Sequence, residues 1–257
     1  MSIHALLIPN TGWPELLARA RRLEDLGVEG VWVDDHVLNP AHPEQPWLDA
    51  WSLLPALAAS TSRIRIGSLV ANGLLRPPVV LARQALSVDQ ISNGRLELGL
   101  GAGYAAADRA AGNDIPFTDV LTIVDSVLRG EPVLEGFPSL APARRIPLTI
   151  AAHGPRSLAL AAKYGDRWVS YGGFGLSAHD HLAVTKKRID VLKEADRPVR
   201  RMLLAGSPAV TAEPIWSSIG AVTDFVGRYR EIGIDDFVFY YPPSPERVFE
   251  EFVTSGQ

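Results

Sequence analysis

The chain has 257 residues, a length at which α/β barrels of about 250 residues run as one unit, so a single domain over 1–257 is expected. Hydrophobic residues at 47% and charged residues at 21% match a chain that buries a sizeable core and exclude disordered and fibrous classes. A net charge of −4 leaves no basic footprint for nucleic acid or an anionic membrane, and the absence of cysteine excludes disulfides, thiol catalysis and Cys-ligated metal clusters.

A small organic partner is therefore expected, and redox chemistry would need a bound cofactor. The opening MSIHALLIPN has no basic stretch before a long apolar run. No later segment reaches the roughly 18 uncharged apolar residues of a membrane span, so a cytoplasmic location is expected.

In chain order, short β-branched runs alternate with segments of helical period. The first strand, over 3–8, leads through IPNTGWPE into a helix over 13–26, with Leu16, Leu17, Ala20 and Leu23 at helical spacing and Gly27 just past its end. A doubly wound sheet would carry GxGxxG in that first turn, and the turn holds a single glycine, so the barrel is preferred. The second strand, 30–34, ends in Asp34-Asp35-His36 before a helix over 49–59. The third, 64–70, ends in Leu69-Val70-Ala71-Asn72 before 77–91. The fourth, 96–100, runs into GLGAGY, Gly99 to Tyr104, and then a helix over 117–129. A fifth strand over 147–151 gives His153-Gly154-Pro155-Arg156 and a helix over 156–164. The last three, 167–171, 199–205 and 236–241, precede helices over 177–195, 218–232 and 245–253. Eight strand and helix alternations predict a (β/α)₈ TIM barrel, an α/β fold.

Barrel function is read at the C-terminal strand ends, where the loops converge on one mouth. His36 is the first catalytic candidate, with Asp35 beside it, because histidine is the side chain most readily set for proton transfer near neutral pH. A helix cap followed by a loop histidine is the plainer reading of an isolated DDH, and the strand-end position argues for catalysis. Asp34, Asp35, His36 and His42 could also ligate a metal. That reading is weak, because metal-dependent barrels gather ligands from several strands. Gly101, Ala102 and Gly103 would let backbone approach a planar ligand, with a strained turn as the competing explanation. At the fifth strand end, the helix start at His153, Gly154, Pro155 and Arg156 is a ready anion site, for which we expect a cofactor phosphate.

Taken together, GVEGVWVDDH, DAWSLLPALAASTSRIRIGSLV, RPPVVLARQALSVDQISNGRLELGLGAGY, IPLTIAAHGPRSLALAAKYGDRW and IGIDDFVFYYPP resemble the bacterial luciferase-like superfamily, barrel enzymes that use FMN or the deazaflavin F420. The resemblance implies a flavin- or deazaflavin-dependent oxidoreductase, either a monooxygenase or a hydride-transfer enzyme, acting on a small organic substrate, with a homodimer as the family's habit. It implies that Asp35 and His36 form the catalytic pair near the reactive face of the cofactor, with His36 handling the proton. It also implies a third-strand bulge over Leu69, Val70 and Asn72 with a non-prolyl cis bond at Leu69–Val70 behind the ring. Cofactor contact falls to Gly101, Ala102, Gly103 and Tyr104, and phosphate capture to the His153 to Arg156 stretch. One departure is Tyr104, which stands right after the glycines where several deazaflavin sugar dehydrogenases have an acid. Another is the stretch 104–145, which is short for the family and leaves little room for a substrate lid. A non-catalytic flavin-binding relative and a metal-dependent hydrolase barrel are the alternatives.

Overall fold

The computed structural model describes residues 1–140 and 142–256. Eight parallel strands close into a barrel in sequence order, β8 pairing back to β1. They are β1 (Ser2–Leu7), β2 (Gly30–Val33), β3 (Arg65–Asn72), β4 (Leu96–Gly101), β5 (Leu148–Ala151), β6 (Arg167–Ser170), β7 (Arg200–Ala205) and β8 (Asp236–Tyr241). The surrounding helices are α1 (Trp13–Asp25), α2 (Ala50–Ser60), α3 (Pro78–Ile91), α4 (Ala106–Ala111), α5 (Phe117–Leu128), α6 (Pro155–Tyr164), α7 (Ala178–Lys193), α8 (Ile219–Glu231) and α9 (Glu246–Ser255).

The helix expected from Arg156 starts one residue earlier, at Pro155, whose missing N–H costs nothing in a first turn. Short polar side chains set other starts: Asp49 accepts from Ser52 N at 2.7 Å, and Ser177 and Ser218 cap α7 and α8. Helix α4 and a 3-10 turn at Ile215–Ser217 were not expected from the sequence.

Strand alternation separates two apolar regions. Outward residues such as Ala5, Leu7, Val31, Val33, Phe237 and Phe239 join the helices in the main core. Inward residues form a second cluster, Leu6, Trp32, Leu69, Val169, Met202 and Val238, which floors the barrel mouth.

Below that floor the N-terminal end is closed by charge. Arg167 hydrogen-bonds Glu97 and lies 3.3 Å from Asp236, Arg65 lies 3.3 Å from Glu97, and Arg200 grips Asp236 through two nitrogens. His4 sits among them fully buried, with no hydrogen-bond partner on either ring nitrogen. Burial, then the Arg167 cation, push it down from 6.5 to about 3. The unfolded chain therefore binds a proton at His4 that the folded chain refuses. Stability is fully present above pH 6.5 and falls as pH drops toward 3, by up to about 1.4 kcal/mol per unit. Urea midpoints measured between pH about 6.5 and 5 should show this slope and lose part of it in His4→Leu; an unchanged slope in that variant would refute the assignment.

Candidate active site

A cavity of about 320 Å³ opens at the C-terminal strand ends. It is lined by all the site residues expected from sequence except Pro155 and Arg156, which are exposed outside it.

Alternation along β2 turns Trp32 and then Asp34 inward, and the chain beyond the strand end presents His36 to the same cavity. His36 Nδ1 lies 2.6 Å from Asp108 Oδ2. Asp108 is fully buried on α4, and it also accepts from Val37 N at 2.9 Å and Asn72 Nδ2 at 2.9 Å. A carboxylate facing Nδ1 holds the proton there, which leaves Nε2 as the ring atom that can gain or lose one. Nε2 lies 3.3 Å from Asp34 Oδ1.

Asp35, expected beside His36 as a catalytic candidate, lines the same cavity. Both its oxygens are engaged, by Arg76 Nη1 and Nη2 at 2.7 and 3.1 Å and by Asn72 N at 3.0 Å. We assign it to bracing the β3 end, because a buried carboxylate paired with a guanidinium in two-point contact is a poor proton carrier. Tyr104 stands edge-on to His36 with ring centroids 5.4 Å apart. Burial, then the Asp34 charge, push its phenol up to about 12.

The third-strand bulge is present: the register of β3 against β4 shifts between Ser68 and Ala71, and Leu69–Val70 is a cis peptide. Gly101, Ala102 and Gly103 line the cavity, and the bulge itself also needs glycine beside it. A Cβ on Gly99 would lie 2.0 Å from Ser68 O, and one on Gly101 would lie 2.4 Å from Val70 Cγ2. They make room for the bulge, which in turn presents Leu69 and Val70 to the cavity. Gly103 has φ 72, and a Cβ there would lie 2.4 Å from Asn72 Oδ1, so the turn that carries Tyr104 also needs glycine.

At α6 the expected anion site narrows. His153 N and Gly154 N both point at Ser157 Oγ, 3.2 Å away, and that hydroxyl donates to Gly154 O at 3.0 Å. Those donors are satisfied, Pro155 has none, and Arg156 is exposed and does not line the cavity. The first-turn N–H groups of Arg156 and Ser157, which have no intrahelical acceptor, remain for an anion. His153 Nε2 is buried with no partner, and its ring stands edge-on to Tyr171 at 4.2 Å. Burial and then Arg188 lower it to about 4, so it is neutral at physiological pH.

Sequence reading missed Arg188. From α7 it donates to His153 O and Ser170 Oγ, each at 3.1 Å, and to Gly172 O, tying the β5 and β6 ends together. It missed Asp108 as well. The HxH pair at His179 and His181 lies on α7, where His181 is bonded to Tyr229 OH and Tyr171 O. Among the described residues no group of three or more His, Cys, Asp or Glu could hold a metal, and no helix is long and apolar enough to cross a membrane.

Solved structures share the barrel. An F420-dependent secondary alcohol dehydrogenase in complex with an F420–acetone adduct superposes with a TM-score of 0.76 at 16% identity, covering 98% of both chains. The coenzyme F420-dependent tetrahydromethanopterin reductase of Methanopyrus kandleri gives 0.72 at 18% identity, over 98% of this chain and 96% of that one. Among curated proteins, an F420-dependent glucose-6-phosphate dehydrogenase of Amycolatopsis mediterranei is 29% identical over 70% of this chain and 58% of its own length. A 5,10-methylenetetrahydromethanopterin reductase of Archaeoglobus fulgidus is 26% identical over 87% of this chain and 75% of its own. The chain spans about half the length of the first curated relatives it matches, 58%, 56% and 48%. The family model for luciferase-like monooxygenases matches residues 3–241, and the chain belongs to that family.

Proposed function

We propose that the protein is an oxidoreductase that transfers a hydride between the deazaflavin F420 and a small uncharged organic substrate at a C–OH or C=O centre. The observation that carries this reading is His36, pinned at Nδ1 by Asp108 so that Nε2 is the exchangeable atom in a cavity whose walls include Leu6, Leu69, Val70, Val169 and Leu204. The residues present fit such a cofactor. The apolar wall and the bulge suit a flat ring, the unpaired His153 Nε2 wants a polar partner, and the α6 first turn suits a phosphate.

When bound, the cofactor supplies the carbon that accepts or delivers the hydride. Leu69 and Val70 would back its ring, and the N–H groups of Arg156 and Ser157 would hold its phosphate. His36 Nε2 would take the substrate hydroxyl proton on oxidation and return it on reduction, while Asp108 stabilises the imidazolium. The apolar wall keeps water from competing. No Lys or Arg lines the cavity among the described residues, so nothing there would neutralise an anionic substrate. The F420-dependent alcohol dehydrogenase and F420-dependent tetrahydromethanopterin reductase among the solved structures, and the F420-dependent glucose-6-phosphate dehydrogenase among the curated proteins, support hydride transfer. The cytoplasmic location and the homodimer expected from sequence belong to the same proposal.

Titration of the purified protein with F420 and with FMN tests the reading. F420 fluorescence should quench to an end point at one equivalent. Saturable binding of FMN alone would move the assignment to the monooxygenase branch, and binding of neither would overturn it.

A further inference from the structure

Among the described residues, Asp34 is the one carboxylate in the cavity with an oxygen that no protein group engages. Its Oδ1 accepts from Asp35 N at 3.1 Å and lies 3.3 Å from His36 Nε2, while Oδ2 has no partner. Asp34 directly follows β2, and the alternation that aims Trp32 at the barrel axis, carried on past Val33, brings Asp34 to the cavity. His36 consequently stands between two carboxylates, Asp108 on Nδ1 and Asp34 on Nε2. The two differ in their reach to water. The Asp108 side chain is 0% exposed, that of His36 8% and that of Asp34 20%.

Resting on the hydride-transfer reading above, we propose that Asp34 is the second proton carrier of the site, moving the proton between His36 Nε2 and bulk water so that the imidazole is reset on each turnover. In the oxidative direction the substrate C–H bond breaks, and its hydrogen leaves with both electrons to oxidised deazaflavin. The hydroxyl proton passes to His36 Nε2, then to Asp34 Oδ1, and then to water. The carbonyl product, the reduced cofactor and one released proton complete the balance, and reduction runs the same path backward.

The other ionisable groups around Asp34 cannot replace it. Asp35 is locked to Arg76, Asp108 is sealed behind His36, and burial pushes the phenols of Tyr104 and Tyr240 up, that of Tyr104 to about 12. Asp34 itself is raised to about 6, first by burial and then by the neighbouring Asp35 and Asp108 charges against the opposing pull of His36. A carboxyl poised there can load and unload near neutral pH.

The first test needs no cofactor. In spectra of uniformly ¹³C,¹⁵N-labelled apoprotein, the Asp34 carboxyl should show a step near pH 6 that the His36 Nε2 shift follows, because the two groups lie 3.3 Å apart. Asp34→Asn should remove the step near pH 6 from the Nε2 curve and Asp34→Glu should restore it; identical curves in wild type and Asp34→Asn would overturn the coupling. The second test uses F420-loaded enzyme turning over a secondary alcohol. In Asp34→Asn, kcat should fall about 10²-fold with KM nearly unchanged, lose its limb near pH 6, and recover on adding formate as an external proton carrier. Failure of formate to raise kcat in a variant that folds and binds F420 would overturn the shuttle. Failure of F420 to bind would instead overturn the functional reading and leave the apoprotein result standing.

Discussion

His36→Ala is expected to lower turnover by about 10²- to 10⁴-fold, the range for removing a positioned acid or base, while F420 affinity stays close to wild type. The reasoning is local. The imidazole adds little to the apolar wall that would hold the ring, but its Nε2 is the only histidine nitrogen in the cavity set opposite a second carboxylate. Asp108→Asn should act through the same atom. The amide no longer fixes the Nδ1–H form of the ring, so part of the population presents the wrong nitrogen to the substrate. Because both changes disable one unit, the double variant should be no slower than His36→Ala alone, a non-additivity that separates a shared role from two independent ones. Single-turnover hydride transfer and cofactor fluorescence measure the two quantities separately. A His36→Ala variant that turns over at the wild-type rate would remove the assigned role.

The second large effect falls on the fold. Gly99→Ala should destabilise the protein by about 3 kcal/mol or more, the upper end of core overpacking, because the new methyl group meets the Ser68 carbonyl at 2.0 Å and backbone cannot step aside as a side chain can. Gly101→Ala makes a useful contrast. Its methyl group meets Val70 Cγ2 at 2.4 Å, the far end of a side chain, which can turn into the cavity. That variant should lose less stability and more cofactor affinity. Urea midpoints and F420 titrations distinguish the two, and a Gly99→Ala protein with the wild-type midpoint would show that the bulge does not depend on the space this glycine leaves.

Much of the fold was legible because barrel strands obey a strict two-residue period and end at glycine or polar punctuation. The eighth strand was placed at 236–241 as found, and most helix boundaries fell within one or two residues. The cis bond at Leu69–Val70 was legible only through family resemblance. Asp108 was not legible, since AADRAA is too short to show a helical period and its meaning lies in a contact with a residue 72 positions earlier. Asp34 was legible in principle: Gly30 and Trp32 share one face of β2, and the same two-residue alternation carried one step past the strand end brings Asp34 to the cavity. Adjacency to His36 in sequence favours Asp35 instead, whereas neighbouring residues at a strand end face opposite ways. Arg156 was assigned to the phosphate from helix-terminus electrostatics, which sets where an anion gathers but not where a side chain points.

The sealed base of the barrel, with His4, Glu97, Arg167 and Asp236 beneath the Trp32 layer, leaves the cavity as a well with one mouth among the described residues. Traffic through such a well is last in, first out. On the proposed hydride-transfer reading, a cofactor seated against Leu69 and Val70 would arrive before the substrate and depart after it, an order of binding set by the shape of the cavity before any affinity is considered.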